Sequence, residues 1–169
     1  MSIIRSARGF TPKIPPSVFI AESANIIGNV EIGENSSIWY QTVLRGDVMP
    51  IKIGSSTNIQ DGSIIHGTYE KFGTTIGNEV TIGHQVVLHG TTVSDRCLIG
   101  MGSILMDGSF IGKNNIVAAG SLVTEGFRHE DEGWLIIGRP AKALRKLKPE
   151  ELNFLKQSAD NYRLYTTWY

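Results

Sequence analysis

A six-residue spacing of aliphatic side chains runs through most of this 169-residue chain and limits its possible folds more than any other feature. Small or β-branched residues recur four positions after many of them, and glycine often follows them directly. The aliphatic series is Ile20, Ile26, Ile32, Ile38, Leu44, Ile53, Ile59, Ile65, Ile76, Ile82, Leu88, Val93, Ile99, Leu105, Ile111, Val117 and Val123. A period of six fits neither an amphipathic helix nor an alternating strand over this length. It predicts short parallel strands, three to a coil, stacked as a solenoid.

The repeat divides the chain into three predicted regions. A β-solenoid covers residues 1–125, and its regular prism starts at about residue 18. An irregular link over 126–148 follows, in which His129 is expected to be solvated. Proline and two acids then open the segment 149–165, which predicts an amphipathic helix that packs along the prism. The apolar stripe of this helix is expected to contain Leu152, Leu155, Ala159 and Tyr162.

Composition argues against several classes of function. Sixteen basic and sixteen acidic side chains cancel, so no net field attracts nucleic acid or an acidic membrane surface. No apolar run is long enough for a transmembrane helix, and none follows the first charges as a secretory signal requires. Cys97, the single cysteine, excludes an internal disulfide and fits a reducing compartment. We therefore expect a cytoplasmic protein that binds neither nucleic acid nor membranes.

Counting along the repeat places three of the four histidines relative to one another. His66 and His89 each follow an inward aliphatic residue, and their separation of 23 is one 18-residue coil plus a five-residue insertion. Arg45 lies 21 residues before His66, which is one coil plus a three-residue insertion. These three residues form one column, in which neighbouring strands are about 4.8 Å apart. His84 belongs to a different face, in the same column as Asp61.

The position of His84 on another face implies that the three histidines of one chain do not meet. Two subunits side by side would bring His66 and His89 of one copy to His84 of the next. Such an interface is heterologous, and on a triangular prism it closes as a three-fold ring. Arg45 and Asp61 would face each other across the same boundary. Three imidazoles with an open fourth position are typical of a catalytic zinc site, so the spacing predicts a homotrimer with metal sites between subunits.

Several segments resemble the gamma-class carbonic anhydrases, the left-handed β-helix trimers of the hexapeptide superfamily. They are L-R-G-D (44–47), N-I-Q-D-G-S-I-I-H (58–66), T-I-G-H-Q-V-V-L-H-G (81–90), L-I-G-M-G-S-I-L-M-D-G (98–108) and S-A-D-N-Y (158–162). The resemblance implies an all-β solenoid, a left-handed parallel β-helix of hexapeptide repeats with a C-terminal α-helix. The left hand rests on the resemblance alone, because the general rule for parallel crossovers gives the opposite hand.

The resemblance also implies a reaction, the reversible hydration of carbon dioxide to bicarbonate by a metal-bound hydroxide at the trimer interface. His66, His84 and His89 would bind Zn²⁺, with Fe²⁺ or Co²⁺ as alternatives. The metal lowers the pKa of its water so that hydroxide exists at neutral pH. Carbon dioxide and bicarbonate are then the expected small-molecule partners.

Other site residues are assigned by the same resemblance. Gln60 would hydrogen-bond the hydroxide or the developing bicarbonate, and Tyr162 would form part of the pocket wall. Arg45 and Asp61 would form the pair between subunits, and Asp47 would order the loop beside that pair.

Three features depart from the best-studied branch of this family. Val48 stands in place of a glutamate, and Leu164 stands in place of an asparagine. The loop after His66 carries one acid, Glu70, where that branch has a long acidic loop that shuttles protons. Since proton removal often limits hydration, weak or latent turnover is also consistent with this sequence.

Two other functions stay open. A CoA-dependent acyltransferase or thioesterase would share the prism, and such enzymes often carry the G-x-P-A-K pattern found at 138–142. In those enzymes a histidine acts as a base between subunits, and no metal triad is needed. A catalytically silent, metal-binding trimeric scaffold is favoured by the missing shuttle residues. Bound metal would argue against the transferase, and turnover would argue against the scaffold.

Overall fold

The computed structural model describes residues 2–169, which form a left-handed β-helix followed by one α-helix. The strands are β1 Ile3–Arg5, β2 Phe19–Ile20, β3 Asn25–Ile32, β4 Ser37–Ile38, β5 Val43–Ile53, β6 Asn58–Ile59, β7 Ile64–His66, β8 Thr74–Ile76, β9 Thr81–Ile82, β10 Val87–His89, β11 Thr92–Val93, β12 Leu98–Ile99, β13 Ile104–Leu105, β14 Phe110–Ile111, β15 Ile116–Val117, β16 Leu122–Val123, β17 Arg128–His129, β18 Trp134–Gly138 and β19 Ala141–Lys146. The helix α1 spans Pro149–Tyr165, and a single 3₁₀ turn follows it at Thr166–Trp168. The predicted fold class is confirmed.

The strands of the solenoid stack in parallel on three faces. The first face contains β2, β4, β6, β9, β12, β15 and β18. The second face starts with the first halves of β3 and β5 and continues through β7, β10, β13 and β16. The third face starts with the second halves of β3 and β5 and continues through β8, β11, β14 and β17. Equivalent residues of successive coils therefore form columns along each face.

A corner between the second and third faces positions Arg45 and Asp47, which both lie on β5. The strands β3 and β5 turn this corner without a break, and their register shifts between Gly28 and Val30. Gly28 has a φ of +78°, and a Cβ on it would lie 2.6 Å from the Gly46 carbonyl oxygen. Glycine meets both demands, the positive φ and the close approach. The shift absorbs the three-residue insertion that interrupts the hexads here.

The predicted inward positions form the core of the prism. Every aliphatic residue of the hexad series after Ile20 is buried, while Ile20 itself is partly buried against the same core. Ile51 and Ile136 lie outside the series and join this core. Cys97 occupies a small position in the interior, where its thiol donates to the Gly112 carbonyl oxygen at 3.0 Å. Burial of each aliphatic side chain contributes about 1.5–3 kcal/mol, so the repeat itself supplies the stability of the solenoid.

The segment 126–148 differs from the irregular link that the repeat predicts. The strand β17 extends the third face, and β18 adds a further strand to the first face. The strand β19 then returns antiparallel against β18. This last coil escapes the hexad count for two reasons. His129 takes the position that pairs with inward Ile111, and Ile136 pairs with Val117 at a spacing of 19 residues instead of 18. His129 is accordingly half-buried, and burial lowers its pKa.

The helix α1 has the predicted bounds and packs on the first face. Its buried residues are Leu155, Ser158 and Ala159. Leu152, expected on the packed stripe, is 41% exposed, because the helix contacts the sheet along a narrow stripe centred on Ser158. Among residues 2–169, no helix has the length and apolar character that crossing a membrane requires.

The start of α1 is fixed by one carboxylate. Glu151 accepts a hydrogen bond from the backbone N–H of Lys148 at 2.7 Å, which satisfies a donor at the helix N-terminus. Arg145 of β19 binds the same carboxylate through two nitrogens at 2.8 and 2.7 Å. The hydrogen bonds from Arg145 and Lys148 lower the pKa of Glu151 to about 2. The hairpin β18–β19 and the helix are therefore tied together at this point.

Candidate metal centre

His66 and His89 lie side by side on the second face, at the ends of β7 and β10. Their preceding residues Ile65 and Leu88 point into the core, so the alternation of a strand turns both imidazoles outward. His66 Nδ1 and His89 Nε2 are 3.3 Å apart. Arg45 follows inward Leu44 on the neighbouring strand, and its Nη2 is 3.4 Å from His66 Nδ1. The structure brings this column together as the coil count predicts.

Each imidazole of this pair has a carboxylate on its other nitrogen. Asp47 Oδ1 lies 3.0 Å from His66 Nε2, and Asp107 Oδ1 lies 2.7 Å from His89 Nδ1. Arg45 Nη1 donates to the second oxygen of Asp47 at 2.6 Å. Burial raises the pKa of Asp47, but the hydrogen bonds from Arg45 and His66 outweigh it, and the pKa is lowered overall. Burial also lowers the pKa of His66, which favours the neutral imidazole that can bind a metal.

His84 belongs to a different column, and it too is held by a carboxylate. Its Nδ1 lies 2.8 Å from Asp61 Oδ2, which leaves its Nε2 as the free nitrogen. Within residues 2–169 of one chain, no group of three His, Cys, Asp or Glu side chains could hold a metal ion. The three candidate ligands are thus divided, two on one surface and one on another.

His84 shares a cavity of about 420 Å³ with Gln60 and Tyr162, two further predicted site residues. The rest of the cavity wall is mainly apolar and includes Leu98 and Phe154. Gln60 is buried and donates from Nε2 to Asn58 Oδ1 at 3.1 Å. Burial, followed by the negative charge of Asp61, raises the pKa of Tyr162 to about 12. Tyr162 therefore presents a protonated phenol at neutral pH.

The structure arranges the predicted site residues in two groups. Arg45 lies with His66 and His89, whereas Asp61, Gln60 and Tyr162 lie around His84. Within one chain Arg45 pairs with Asp47 and Asp61 pairs with His84. The pair between Arg45 and Asp61 of different subunits stays a prediction.

The residues present fit a zinc-type ion in two respects. Nitrogens at roughly 2.0–2.1 Å from a tetrahedral zinc ion lie about 3.3 Å apart, which matches the 3.3 Å between His66 Nδ1 and His89 Nε2. In metal-bound histidines, the ring nitrogen that does not bind the metal usually donates to a carboxylate or carbonyl oxygen. His66, His84 and His89 each have a carboxylate oxygen next to one ring nitrogen, which leaves the other nitrogen for a metal. Imidazole donors also suit iron and cobalt.

Asp107 is the residue of this centre that the sequence analysis missed. Its second oxygen accepts from Thr68 Oγ1 at 2.5 Å, so the carboxylate that supports His89 is itself held in place. The register of the repeat could have indicated Asp107. The strand β13 pairs with β10, so the turn after β13 lies beside the turn after His89, and Asp107 is an acid in that turn.

Two of the three residues that depart from the archetypal pattern, Val48 and Glu70, lie at the edge of the first group. Val48 and Glu70 line a cavity of about 240 Å³ together with Asp47. Leu164 is exposed on α1 and lines a different cavity. Glu70 is therefore the one of these three that places an acid near the histidine pair.

Comparison with known proteins places this architecture in a family, although no protein-family model matches the chain. It is 49% identical over 157 residues to gamma carbonic anhydrase 1, mitochondrial, of Arabidopsis thaliana, which covers 89% of this chain but only 56% of that relative. It is 44% identical over 155 residues to a carbonic anhydrase of Geobacillus kaustophilus (strain HTA426), covering 92% of this chain and 84% of the relative. A hexapeptide transferase family protein from Anaplasma phagocytophilum superposes with a TM-score of 0.94 at 44% identity, covering 99% of this chain and 98% of that one. The chain belongs to the gamma-class carbonic anhydrase family of hexapeptide-repeat β-helix proteins.

Proposed function

We propose that this protein catalyses the reversible hydration of carbon dioxide to bicarbonate at metal centres between the subunits of a homotrimer. The observation that carries the proposal is the pair of imidazole nitrogens 3.3 Å apart, with His84 held in the same way on another face. The relatives named carbonic anhydrase support the reaction, and the shared supporting carboxylates support the metal.

His66, His84 and His89 would hold the ion, with Zn²⁺ as the first candidate and Fe²⁺ or Co²⁺ as alternatives. Zinc, when bound, supplies a Lewis acid that lowers the pKa of a water ligand towards neutrality. Asp47 and Asp107 keep His66 and His89 oriented with one nitrogen free. Asp61 does the same for His84.

A trimer is supported by the outward columns of the three faces. On the second face the column beside the histidines is apolar from β5 onwards: Val43, Ile64, Val87, Ile104 and Leu122. The helix α1 packs against β9 of the first face, and the third face carries mostly polar residues: Glu31, Lys52, Thr75, Thr92, Phe110 and Arg128. Ile64 is 46% exposed in the single chain. Covering this column with another copy would remove it from water and bring a second chain to His66 and His89.

The remaining site residues would bind and orient the substrate. Leu98 and Phe154 make the cavity beside His84 apolar, which suits an uncharged substrate such as carbon dioxide and limits the entry of water. Gln60 offers a hydrogen bond to the hydroxyl group of water or bicarbonate. Tyr162 has a protonated phenol, which can donate to a bicarbonate oxygen. Arg45 and Asp61 would close the interface as an ion pair.

Proton removal is the step with the least support in this chain. Val48 and Leu164 cannot carry a proton, and Glu70 is the acid that shares a cavity with Asp47. We therefore propose that turnover is slow unless buffer or Glu70 accepts the proton. Cytoplasmic location is also proposed, since the single cysteine is a free thiol.

A CoA-dependent acyl transfer is the second candidate. The structural relative from Anaplasma phagocytophilum is named as a hexapeptide transferase family protein, and the cavity of about 420 Å³ beside His84 is larger than carbon dioxide requires. The tip of the β18–β19 hairpin carries the G-R-P-A-K segment. A silent metal-binding scaffold is the third reading, and it requires bound metal without turnover.

Stopped-flow hydration of carbon dioxide by zinc-loaded protein tests the proposal. Chelator-treated protein and His89→Ala serve as controls, and acetyl-CoA hydrolysis is measured in parallel. We expect hydration well above both controls and no metal-dependent acetyl-CoA hydrolysis. Bound zinc with hydration equal to the controls would overturn the proposal and favour the scaffold.

A further inference from the structure

Four buried polar side chains form a continuous hydrogen-bonded chain from the helix α1 to the cavity beside His84. Gln60 Nε2 donates to Asn58 Oδ1 at 3.1 Å, and Asn58 Nδ2 donates to Thr81 Oγ1 at 3.0 Å. Thr81 Oγ1 is in turn 3.0 Å from Ser158 Oγ. The exposed fractions along this chain are 5% for Gln60, 1% for Asn58, 4% for Thr81 and 7% for Ser158. Its members therefore find these hydrogen-bond partners within the protein and not in water.

The repeat explains why these four side chains meet. Asn58 and Thr81 are neighbours in one outward column of the first face, on β6 and β9. In the following coils that column is apolar, with Leu98 and Ile116. Ser158, at the centre of the buried stripe of α1, lies above this polar pair. The helix supplies the hydroxyl that ends the chain.

The donors and acceptors along this chain determine which end of the Gln60 amide faces Asn58. Asn58 gives its NH₂ group to Thr81 Oγ1 at 3.0 Å and to the Val80 carbonyl oxygen at 3.5 Å, so its own carbonyl oxygen is the end that faces Gln60. The NH₂ group of Gln60 is then turned towards Asn58, and its Oε1 is left for the cavity that it shares with His84. A half-turn of the Asn58 amide alone would place NH₂ against NH₂, and a half-turn of the Gln60 amide alone would place oxygen against oxygen. Thr81 contacts Asn58 and not Gln60, yet through Asn58 it influences the orientation of the Gln60 amide.

We propose that Thr81 and Ser158 are positioning residues that fix, through Asn58, which end of the Gln60 amide faces the reaction site. This inference rests on the proposed function, in which Gln60 hydrogen-bonds the substrate. With Oε1 towards the cavity, Gln60 accepts a hydrogen bond from the hydroxyl group of water or bicarbonate. Docking of α1 thereby contributes to the site beyond supplying Tyr162.

The first test reads the amide directly and does not use activity. Side-chain NH₂ signals of Gln60 are assigned in ¹⁵N-resolved NMR spectra by their loss in Gln60→Ala. We expect Thr81→Val to shift and broaden these signals, Ser158→Ala to shift them less, and Thr81→Ser to restore them. Ser121→Ala removes an equally buried hydroxyl that is bonded to the Ala118 carbonyl oxygen in a later coil, and it should leave them unchanged. Unchanged Gln60 signals in Thr81→Val would overturn the proposal.

The second test asks whether Thr81 acts through Gln60. We expect Thr81→Val to lower kcat/KM for carbon dioxide hydration about tenfold in the wild-type background and less than about twofold in Gln60→Ala. Thr81→Ser should regain most of the loss, and Ser121→Ala should show none. Equal losses in both backgrounds would mean that Thr81 acts independently of Gln60. If zinc-loaded wild-type protein does not hydrate carbon dioxide, the proposed function fails, while the NMR result still decides the orientation.

Discussion

A residue in this protein acquires its role largely from the column in which it stands. His66 and His89 are neighbours because a coil and its insertion separate them, and the same count places Arg45 beside them. This much follows from the sequence alone, since columns depend only on spacing. The carboxylate on His89 does not follow as directly. Asp107 lies in a turn, where side-chain direction is set by local backbone geometry that the hexad period leaves open.

Asp107 offers a prediction about metal affinity. Asp107→Asn keeps the size of the side chain but removes the charge that supports His89, so we expect zinc affinity to fall by about 10–100-fold. Competition with a chromogenic chelator measures this affinity. Asp95→Asn makes the same change at a turn carboxylate bonded to Asn78, away from the histidines, and should bind zinc like the wild type. A zinc affinity of Asp107→Asn equal to that of Asp95→Asn would show that Asp107 does not support metal binding.

Cys97 offers a prediction about thiol chemistry. Burial raises its pKa to about 12, so the thiol stays protonated at all ordinary pH values, and its side chain is 1% exposed. We expect no reaction of the native protein with dithiobis(nitrobenzoate) at pH 8, and one equivalent of reaction after unfolding in guanidinium chloride. Rapid labelling of the native protein would show that the coil around Cys97 opens.

At the scale of elements, the sequence predicts most where one rule governs a segment. The helix α1 has a proline start, acids in its first turn and apolar spacing, and its bounds agree with the structure. The last coil follows no single rule, because His129 stands at an inward position and Ile136 is displaced by one residue. The contact of Ser158 with Thr81 was also beyond prediction, since it depends on where the helix lies against the sheet.

The junction of α1 with the β18–β19 hairpin predicts a pH dependence. Hydrogen bonds from Arg145 lower the pKa of Glu151 from 4.5 to about 2, so the carboxylate stabilises the fold above pH 4.5, and this contribution is lost as the pH falls towards 2. We expect Glu151→Gln to lower the Tm at pH 7, with the difference from wild type shrinking between pH 4.5 and 2. Glu150→Gln, at the neighbouring exposed acid, should change the Tm little. A Tm difference that is constant from pH 7 to 2 would contradict the ion pair.

At the scale of the whole molecule, the period predicts a solenoid but not its hand. Spacing fixes which residues share a column, and both hands give the same columns. The left hand was available only through the resemblance of the histidine segments to a known family, and the architecture of the structural relative agrees with it. The proposal of an assembly also depends on the spacing, because the spacing places the three histidines on two different surfaces of one chain.

The apolar column on the second face predicts that assembly and metal binding fail together. Ile64→Asp places a charge at an exposed apolar position of that column, and we expect monomers in light scattering and a loss of bound zinc. Thr75→Asp makes a comparable change on the polar third face and should remain trimeric with its zinc. A monomeric Ile64→Asp protein that still binds one zinc per chain would contradict a shared centre.

The antiparallel pairing of β19 with β18 affects whether strands of another molecule can add to the end of the solenoid. A stack of parallel coils ends in a row of unpaired backbone groups, which can recruit a strand from another molecule and extend into a fibre. On the first face, β19 occupies that row with the opposite chain direction. The strand β19 also carries the exposed Lys142 and Lys146. A further coil cannot continue the parallel pattern there, so the hairpin that the hexad count overlooked gives the repeat a defined last turn.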